Sequence, residues 1–371
     1  MTPVSTTPTL ENIPTPCLVI DLGKVKRNID KLARYGRQHK LNIRPHTKTH
    51  KSRLMARLQV EAGSKGLTVA KVGEADVMAN ETNDLLLAYP ALDPVRAPRV
   101  AELARTHTMR VAVDSRQAID ALAAAARSKG TTIGILPDID VGMHRTGVQT
   151  PEEALELAQH ADRTLGVRLD GLFCYPGHLS MPTAEQPAAL KTVSDILQAT
   201  LDLYARSGLQ AEIVSGGSSP TAYQSHLIPQ YTEIRPGTNI FNDTNTYRGG
   251  WCSLDECAAT VLTTVISTAV PNQCVVDAGN KTLTADRYFR DPMNGGFGTV
   301  INYPDAKVTR LSEEHGQIDL THCEQRPLLG DRIQIVMNHV CPCVNLHNNA
   351  WLLHEDGQLE QLPIDARGLI V

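Results

Sequence analysis

The chain has 371 residues, 42% of them hydrophobic and 20% charged, with a formal net charge of -4. That balance is an ordinary soluble globular protein's, and its sign argues against a nucleic-acid or anionic-membrane binder, which would present a basic surface. No apolar run approaches the ~20 residues that span a bilayer, and the length suits one large domain with a smaller one.

The amino terminus shows no basic region followed by an apolar stretch, so it does not read as a secretory signal. Eight cysteines are scattered, with Cys341 and Cys343 near one another. Reduced thiols in a cytoplasm are expected rather than a disulfide framework.

Residues 17–22 read as a strand and residues 23–39 as a helix with Val25, Ile29 and Leu32 on one face. From residue 41 onward, strands and helices alternate. Strands are expected at 41–47, 67–70, 84–89, 110–114, 133–140, 169–175, 211–215 and 233–235. The clearest helix, 115–129, is an alanine-rich run behind an Asp114-Ser115 cap. Eight such units suit a (β/α)8 barrel of the TIM type, which takes roughly 250 residues. A doubly wound sheet alternates in the same way; the count of eight favours the barrel. Beyond Trp251 the texture turns β-rich, with strands expected at 261–270, 274–277, 308–311, 333–337 and 351–354. The expected organisation is a barrel over residues 20–250 and a β domain over residues 251–371, joined by residues 1–19.

Polar motifs fall at the carboxyl ends of five expected strands, where such barrels place their chemistry. Arg44-Pro45-His46-Thr47-Lys48-Thr49-His50-Lys51 closes the first. Its Lys48 stands among two histidines, an arginine and a second lysine. Crowding by cations lowers an amine's proton affinity, and a neutral amine is what Schiff-base chemistry requires. A plain basic loop is the alternative. Residues 138–147, with Arg145, close the fifth strand; Tyr175-Pro176-Gly177-His178 closes the sixth. Residues 215–221 and Arg235-Pro236-Gly237-Thr238 close the seventh and eighth. The small, glycine-rich run from Ser215 suits close backbone approach to an anion, or else a simple turn. Arg145 is a permanent cation for a phenolate or carboxylate, or a salt bridge at the rim. Tyr175 and His178 suit stacking or proton exchange, or a structural role. A phosphate cradle, an amine and a cation for a phenolate together describe pyridoxal phosphate.

With those motifs, Asp277-Ala278-Gly279, Glu314-His315-Gly316 and His339-Val340-Cys341, the chain resembles the D-threonine aldolase and D-serine dehydratase family. These are alanine racemase-like, fold type III pyridoxal phosphate enzymes. The resemblance implies that Lys48 joins the cofactor and that Arg145 meets its ring hydroxyl. It implies a phosphate held by Ser215, Gly216, Gly217 and Ser218, with Thr238 and Asn239 nearby. Family members often carry an aromatic residue in place of Asn239. Lys48, His46, Tyr175 and His178 are the candidate catalytic residues, Tyr175 also lining the cofactor. A homodimer, in which each β domain helps to close the partner's site, is a further implication.

His339 and Cys341, two apart in an expected extended segment, project to one side as candidate metal ligands. Two protein ligands leave positions open, as catalytic sites require, and a thiolate with an imidazole favours zinc over manganese or magnesium. Cys343 reads as a packing residue. The expected function is a cytoplasmic lyase acting on D-β-hydroxy-α-amino acids, most simply aldol cleavage of D-threonine-like substrates to glycine and an aldehyde. Dehydration of D-serine or 3-hydroxy-D-aspartate is the alternative, since His339 and Cys341 match the dehydratase type. A non-catalytic pyridoxal phosphate carrier and an amino-acid racemase are the readings of other kinds; neither needs a metal.

Overall fold

The computed structural model describes residues 8–371. Residues 1–7, the start of the stretch read as lacking a secretory signal, lie outside the described residues. The chain forms two compact units. One comprises the amino-terminal stretch to Asn28, Thr49–Lys51 and Thr238–Arg367; the other comprises Ile29–Lys48, Ser52–Gly237 and Gly368–Val371.

The chain opens with β1 (Cys17–Asp21), a strand of the first unit, and the helix Leu22–His39. The second unit then builds a parallel sheet. Its strands are β2 (Asn42–Ile43), β3 (Leu67–Val69), β4 (Asp84–Leu87), β5 (Thr108–Val113) and β6 (Ile133–Ile139). A short β7 (Val167–Leu169) is followed by β8 (Gly171–Cys174), β9 (Ile213–Gly216) and β10 (Glu233–Ile234). The order is β2-β10-β9-β8-β6-β5-β4-β3, with β7 beside β6. A parallel bridge between His46 and Thr68 joins the two ends, and Thr47 N–H donates to Thr68 O at 2.9 Å. That closure removes the doubly wound alternative and leaves a (β/α)8 barrel.

The interior is set by strand alternation. Leu86, Ala112, Leu136 and Phe173, from β4, β5, β6 and β8, form one buried cluster inside. Each large member contributes roughly 1.5–3 kcal/mol by leaving water. Outside, the helix Arg116–Lys129 buries Ala118, Ile119, Leu122 and Ala126. Ser115 caps it by accepting the Ala118 N–H, and Gly130, at φ 64°, ends it in the left-handed conformation. Barrel charges are paired: buried Arg44 meets Glu233 at 2.8 Å and Asp84 at 2.6 Å. Arg110 bridges Asp84 and Asp170 at 2.5 and 2.7 Å.

The first unit is antiparallel apart from one pairing. It contains β11 (Ala259–Ser267), β12 (Gln273–Val276), β13 (Gly298–Val300), β14 (Lys307–Leu311) and β15 (Gly316–Asp319). β16 (Arg332–Met337), β17 (Asn349–Leu353) and β18 (Leu359–Pro363) complete it. The order β12-β15-β14-β13-β16-β11 closes on itself through β12 and β11. β1 pairs antiparallel with β11 and parallel with β17, so the amino-terminal strand belongs here. This unit begins at Thr238, whereas the sequence texture changes at Trp251. The intervening residues carry no strand but bond into the unit: Thr244 Oγ1 donates to Val336 O at 2.8 Å and Ala258 N–H to Phe241 O at 2.7 Å. Among the described residues no helix is long and apolar enough to cross a membrane.

Candidate active site

Lys48 lies in the turn after β2, half-buried, with Nζ 5.8 Å from the centroid of the Tyr175 ring. Arg145 Cζ stands 4.7 Å from the same centroid. Two cations from different loops thus share one aromatic ring, a contact worth roughly 0.5–2 kcal/mol each. Gly177 leaves room for that ring, since a side chain there would overlap it. His46 Nδ1 accepts the Lys48 N–H at 3.4 Å, which bends the turn back on its strand. The cations expected to crowd Lys48 are placed otherwise. Arg44 is held by its two carboxylates, and Lys51 belongs to the antiparallel unit, where Nζ donates to Ala366 O at 3.4 Å.

The loop after β6 is shaped by Asp140. Its carboxylate accepts the N–H groups of Gly142, Met143 and His144 at 3.0, 2.9 and 3.1 Å. Burial alone would raise its pKa; those bonds outweigh it and hold the carboxyl below its usual value. Gly142 has φ 115° and packs on His178, where an added Cβ would stand 2.9 Å from Nε2. Desolvation lowers the His178 pKa, with Asp140 pulling the other way. Asp138 is buried and accepts the Thr146 hydroxyl at 2.9 Å. Burial pushes its carboxyl up to about 6, against Thr146 and Arg235, which lower it. Asp138, Arg145, Thr146 and Tyr175 line one narrow recess.

The loop after β9 departs in part from expectation. Ser215 is fully buried, donates its hydroxyl to Glu233 Oε1 at 2.6 Å and accepts Arg235 Nη1 at 2.6 Å. That hydroxyl is committed to the barrel interior and is not a donor toward a phosphate. A side chain at Gly216 would overlap the Tyr231 ring, so this glycine answers to packing. Gly217 has φ 77°, and an added Cβ would come 3.1 Å from Ile234. Left-handed glycines of this kind build the backbone concavities that hold anions, so the loop fits a phosphate through its main chain. Ser218 Oγ lies 3.0 Å from Thr221 Oγ1, and Ser219 Oγ accepts the Gly237 N–H at 3.2 Å.

Thr238 and Asn239 are residues of the antiparallel unit, in its first helical turn. Asn239 Oδ1 is buried, with no hydrogen-bond partner among the described residues. In the same unit β16 ends just before His339, and here the expected extended segment is corrected. His339 has extended backbone (φ -134°, ψ 109°) and caps a helix, Val340–Leu346, so Cys341 sits in a first helical turn. The pair still comes together, within hydrogen-bonding reach. Fully buried Asp243 fixes the geometry: it accepts the Val340 N–H at 3.1 Å while capping its own helix through the Thr246 N–H at 2.8 Å. Burial would lower the His339 pKa, but Cys341, Asp243 and Asp286 raise it to about 9.

Cys341 Sγ lies 3.2 Å from Thr49 Oγ1 and 3.9 Å from Thr238 Oγ1. Cys343 is buried, its Sγ donating to Thr282 O at 3.1 Å, and its thiol pKa is pushed up by burial. Among the described residues no three His, Cys, Asp or Glu side chains gather as a metal set. The donor chemistry is therefore one imidazole and one thiol, which fits a borderline-soft ion with open positions. Sequence reasoning missed Asp286, Asp243 and Thr49, which lie far from His339 and Cys341 in the chain.

Residues 20–245 match the model of the alanine racemase N-terminal domain, and residues 258–353 that of a putative serine dehydratase domain. Barrel, antiparallel unit and polar loops thus define an alanine racemase-like enzyme. A 3-hydroxy-D-aspartate aldolase of Paracoccus denitrificans (strain Pd 1222) is 32% identical, over 96% of this chain and 92% of its own. The D-threo-3-hydroxyaspartate dehydratase of Delftia sp. (strain HT23) is 34% identical, over 90% and 92%. The crystal structure of D-threonine aldolase from Filomicrobium marinum aligns with a TM-score of 0.90 at 28% identity, covering 99% of this chain and 100% of that one. Solved mutants of a D-threo-3-hydroxyaspartate dehydratase replace a histidine and, two positions on, a cysteine by alanine. The cysteine mutant, in a metal-free form, is 29% identical with a TM-score of 0.88, over 96% of this chain and 98% of that one. The chain belongs to the alanine racemase N-terminal domain family, and with these relatives it is a lyase of the D-threonine aldolase and D-serine dehydratase group. The family is pyridoxal phosphate-dependent. As an enzyme, the chain is not a non-catalytic carrier.

Proposed function

We propose that this lyase takes pyridoxal phosphate and a divalent metal and cleaves D-threonine-like β-hydroxy-α-amino acids to glycine and an aldehyde. The observation that carries the reading is the placement of Lys48 and Arg145 on one Tyr175 ring at the carboxyl end of the barrel. Lys48 offers an amine to the cofactor's aldehyde, and Arg145 a cation to its ring hydroxyl. The backbone of Gly216, Gly217 and Ser218 holds the phosphate, with Thr238 and Asn239 as further contacts; Ser215 supports the strand from inside. When bound, the cofactor supplies an electron sink for charge developing at Cα. His339 and Cys341 hold the metal, zinc before manganese or magnesium, which when bound acidifies the β-hydroxyl. His178, whose pKa burial lowers, is the candidate proton acceptor. His46, whose Nδ1 accepts the Lys48 N–H, is the second candidate for proton transfer.

The proposed division of labour is a cofactor-binding barrel over residues 20–250 and a metal-bearing β domain over 251–371 with 1–19. A cytoplasmic homodimer completes the proposal. Eight cysteines without a disulfide among the described residues support the compartment; the dimer rests on the family resemblance.

One observation favours a second reading, dehydration of 3-hydroxy-D-aspartate or D-serine. The His339–Cys341 spacing is that of the histidine and cysteine mutated in the dehydratase. Incubation with D-threonine and 3-hydroxy-D-aspartate in the presence of zinc or manganese separates the two. Glycine with an aldehyde supports aldol cleavage; a 2-oxo acid with ammonia overturns it in favour of dehydration.

A further inference from the structure

We propose that Asp286 is a positioning residue for the metal centre, orienting His339 through Nδ1 and leaving Nε2 for the ion. The inference rests on the reading of His339 and Cys341 as metal ligands. His339 Nδ1 lies 2.8 Å from Asp286 Oδ2, well inside hydrogen-bond range. A carboxylate only accepts, so Nδ1 carries the hydrogen and the lone pair of the neutral ring resides on Nε2. A carboxylate behind a ligating imidazole fixes its tautomer and its plane and makes it a stronger donor.

Asp286 is itself held in place. It lies in an irregular segment between the short helix Asn280–Leu283 and β13. An aspartate on such a segment positions nothing unless its backbone is pinned. Asn338, the residue before His339, does the pinning. The residue is 1% exposed, and its Nδ2 donates to Asp286 O at 3.1 Å and to Gly296 O at 2.7 Å. One buried amide thus clamps the segment at two points ten residues apart, and the next residue along the chain receives the carboxylate. Asp286 N–H is also tied, to Thr284 Oγ1 at 3.2 Å. The entropic cost of ordering the carboxylate is met by folding and is not incurred again when metal binds.

The test is a zinc titration of full-length enzyme carrying its cofactor and stripped of metal, in competition with a chromophoric chelator. Parent, His339→Ala, Asp286→Ala and Asp286→Asn are compared. Removing an outer-shell partner of this kind weakens metal affinity by about 10–100-fold, and that loss is expected for Asp286→Ala. Asn keeps an acceptor for the Nδ1 hydrogen, so Asp286→Asn is expected to recover part of the affinity. It also serves if Asp286→Ala folds poorly. Parent-like zinc affinity in Asp286→Ala, with affinity lost in His339→Ala, overturns the inference and leaves the metal reading standing. A loss in Asp286→Ala as deep as in His339→Ala, with no recovery in Asp286→Asn, makes Asp286 a ligand and also overturns it. Absence of tight zinc binding in the parent, or its persistence in His339→Ala, overturns the metal reading and this inference with it.

Discussion

Ser215 donates its hydroxyl to Glu233 inside the barrel, Oγ to Oε1 at 2.6 Å, and Arg235 Nη1 reaches the same hydroxyl oxygen at 2.6 Å. Glu233 in turn accepts Arg44 Nε at 2.8 Å. One serine therefore joins two buried arginines through one carboxylate. Ser215→Ala removes the bridge and leaves a buried guanidinium hydrogen unsatisfied, which costs about 1–3 kcal/mol. The urea midpoint is expected to fall, with a smaller effect on cofactor retention. An unchanged midpoint together with lost cofactor would restore Ser215 as a phosphate donor.

Lys48 and Lys51 are three residues apart and do different things. Lys48 Nζ lies on the Tyr175 ring, whereas Lys51 Nζ bonds Ala366 O in the antiparallel unit. Lys48→Ala is expected to abolish the visible absorbance of lysine-bound cofactor, and Lys51→Ala to keep it. The reverse pattern would move the cofactor to Lys51.

Gly217 tests the phosphate loop. At φ 77° any side chain is strained, by roughly 1–2 kcal/mol. Gly217→Ala carries that strain alone, while Gly217→Asp adds a like charge beside the phosphate. Dialysis should strip cofactor from Gly217→Asp far faster than from Gly217→Ala. Equal retention in both would remove the phosphate from this loop.

The barrel was legible because parallel strands buried on both faces are short apolar runs, such as Leu85-Leu86-Leu87, set between helical patterns. β2 was read too long: Pro45 lacks an N–H, so the ladder covers Asn42–Ile43 and resumes as one bridge at His46. β15, with one large apolar residue, and β18, Leu-Glu-Gln-Leu-Pro, offered no alternation to read. The helix at Cys341 had a signal, Pro342, which suits a first helical turn. Asp286 had none, because 53 residues separate it from His339 and only the fold brings them together. The commitment of Ser215 was hidden for the same reason: a serine beside glycines reads as a loop donor until its buried partners are known.

Asp138 should leave a mark on stability against pH. The residue is 6% exposed, and burial raises its carboxyl pKa from 3.8 to about 6. Arg235, Arg145 and Thr146 oppose that rise, while Asp114 adds to it. Between those two values the folded state binds more protons than the unfolded chain, so this group's contribution falls as pH rises. It is fully present below about pH 4 and lost above about pH 6. A shift of this size corresponds to roughly 2–3 kcal/mol. Asp138→Asn, which keeps an acceptor for the Thr146 hydroxyl and cannot ionise, should lose that dependence. Measured by urea unfolding, the variant should gain on the parent as pH goes from 4 to 7, by up to that amount. Parallel stability curves for the two proteins across this window would mean that Asp138 ionises as freely in the fold as in the unfolded chain.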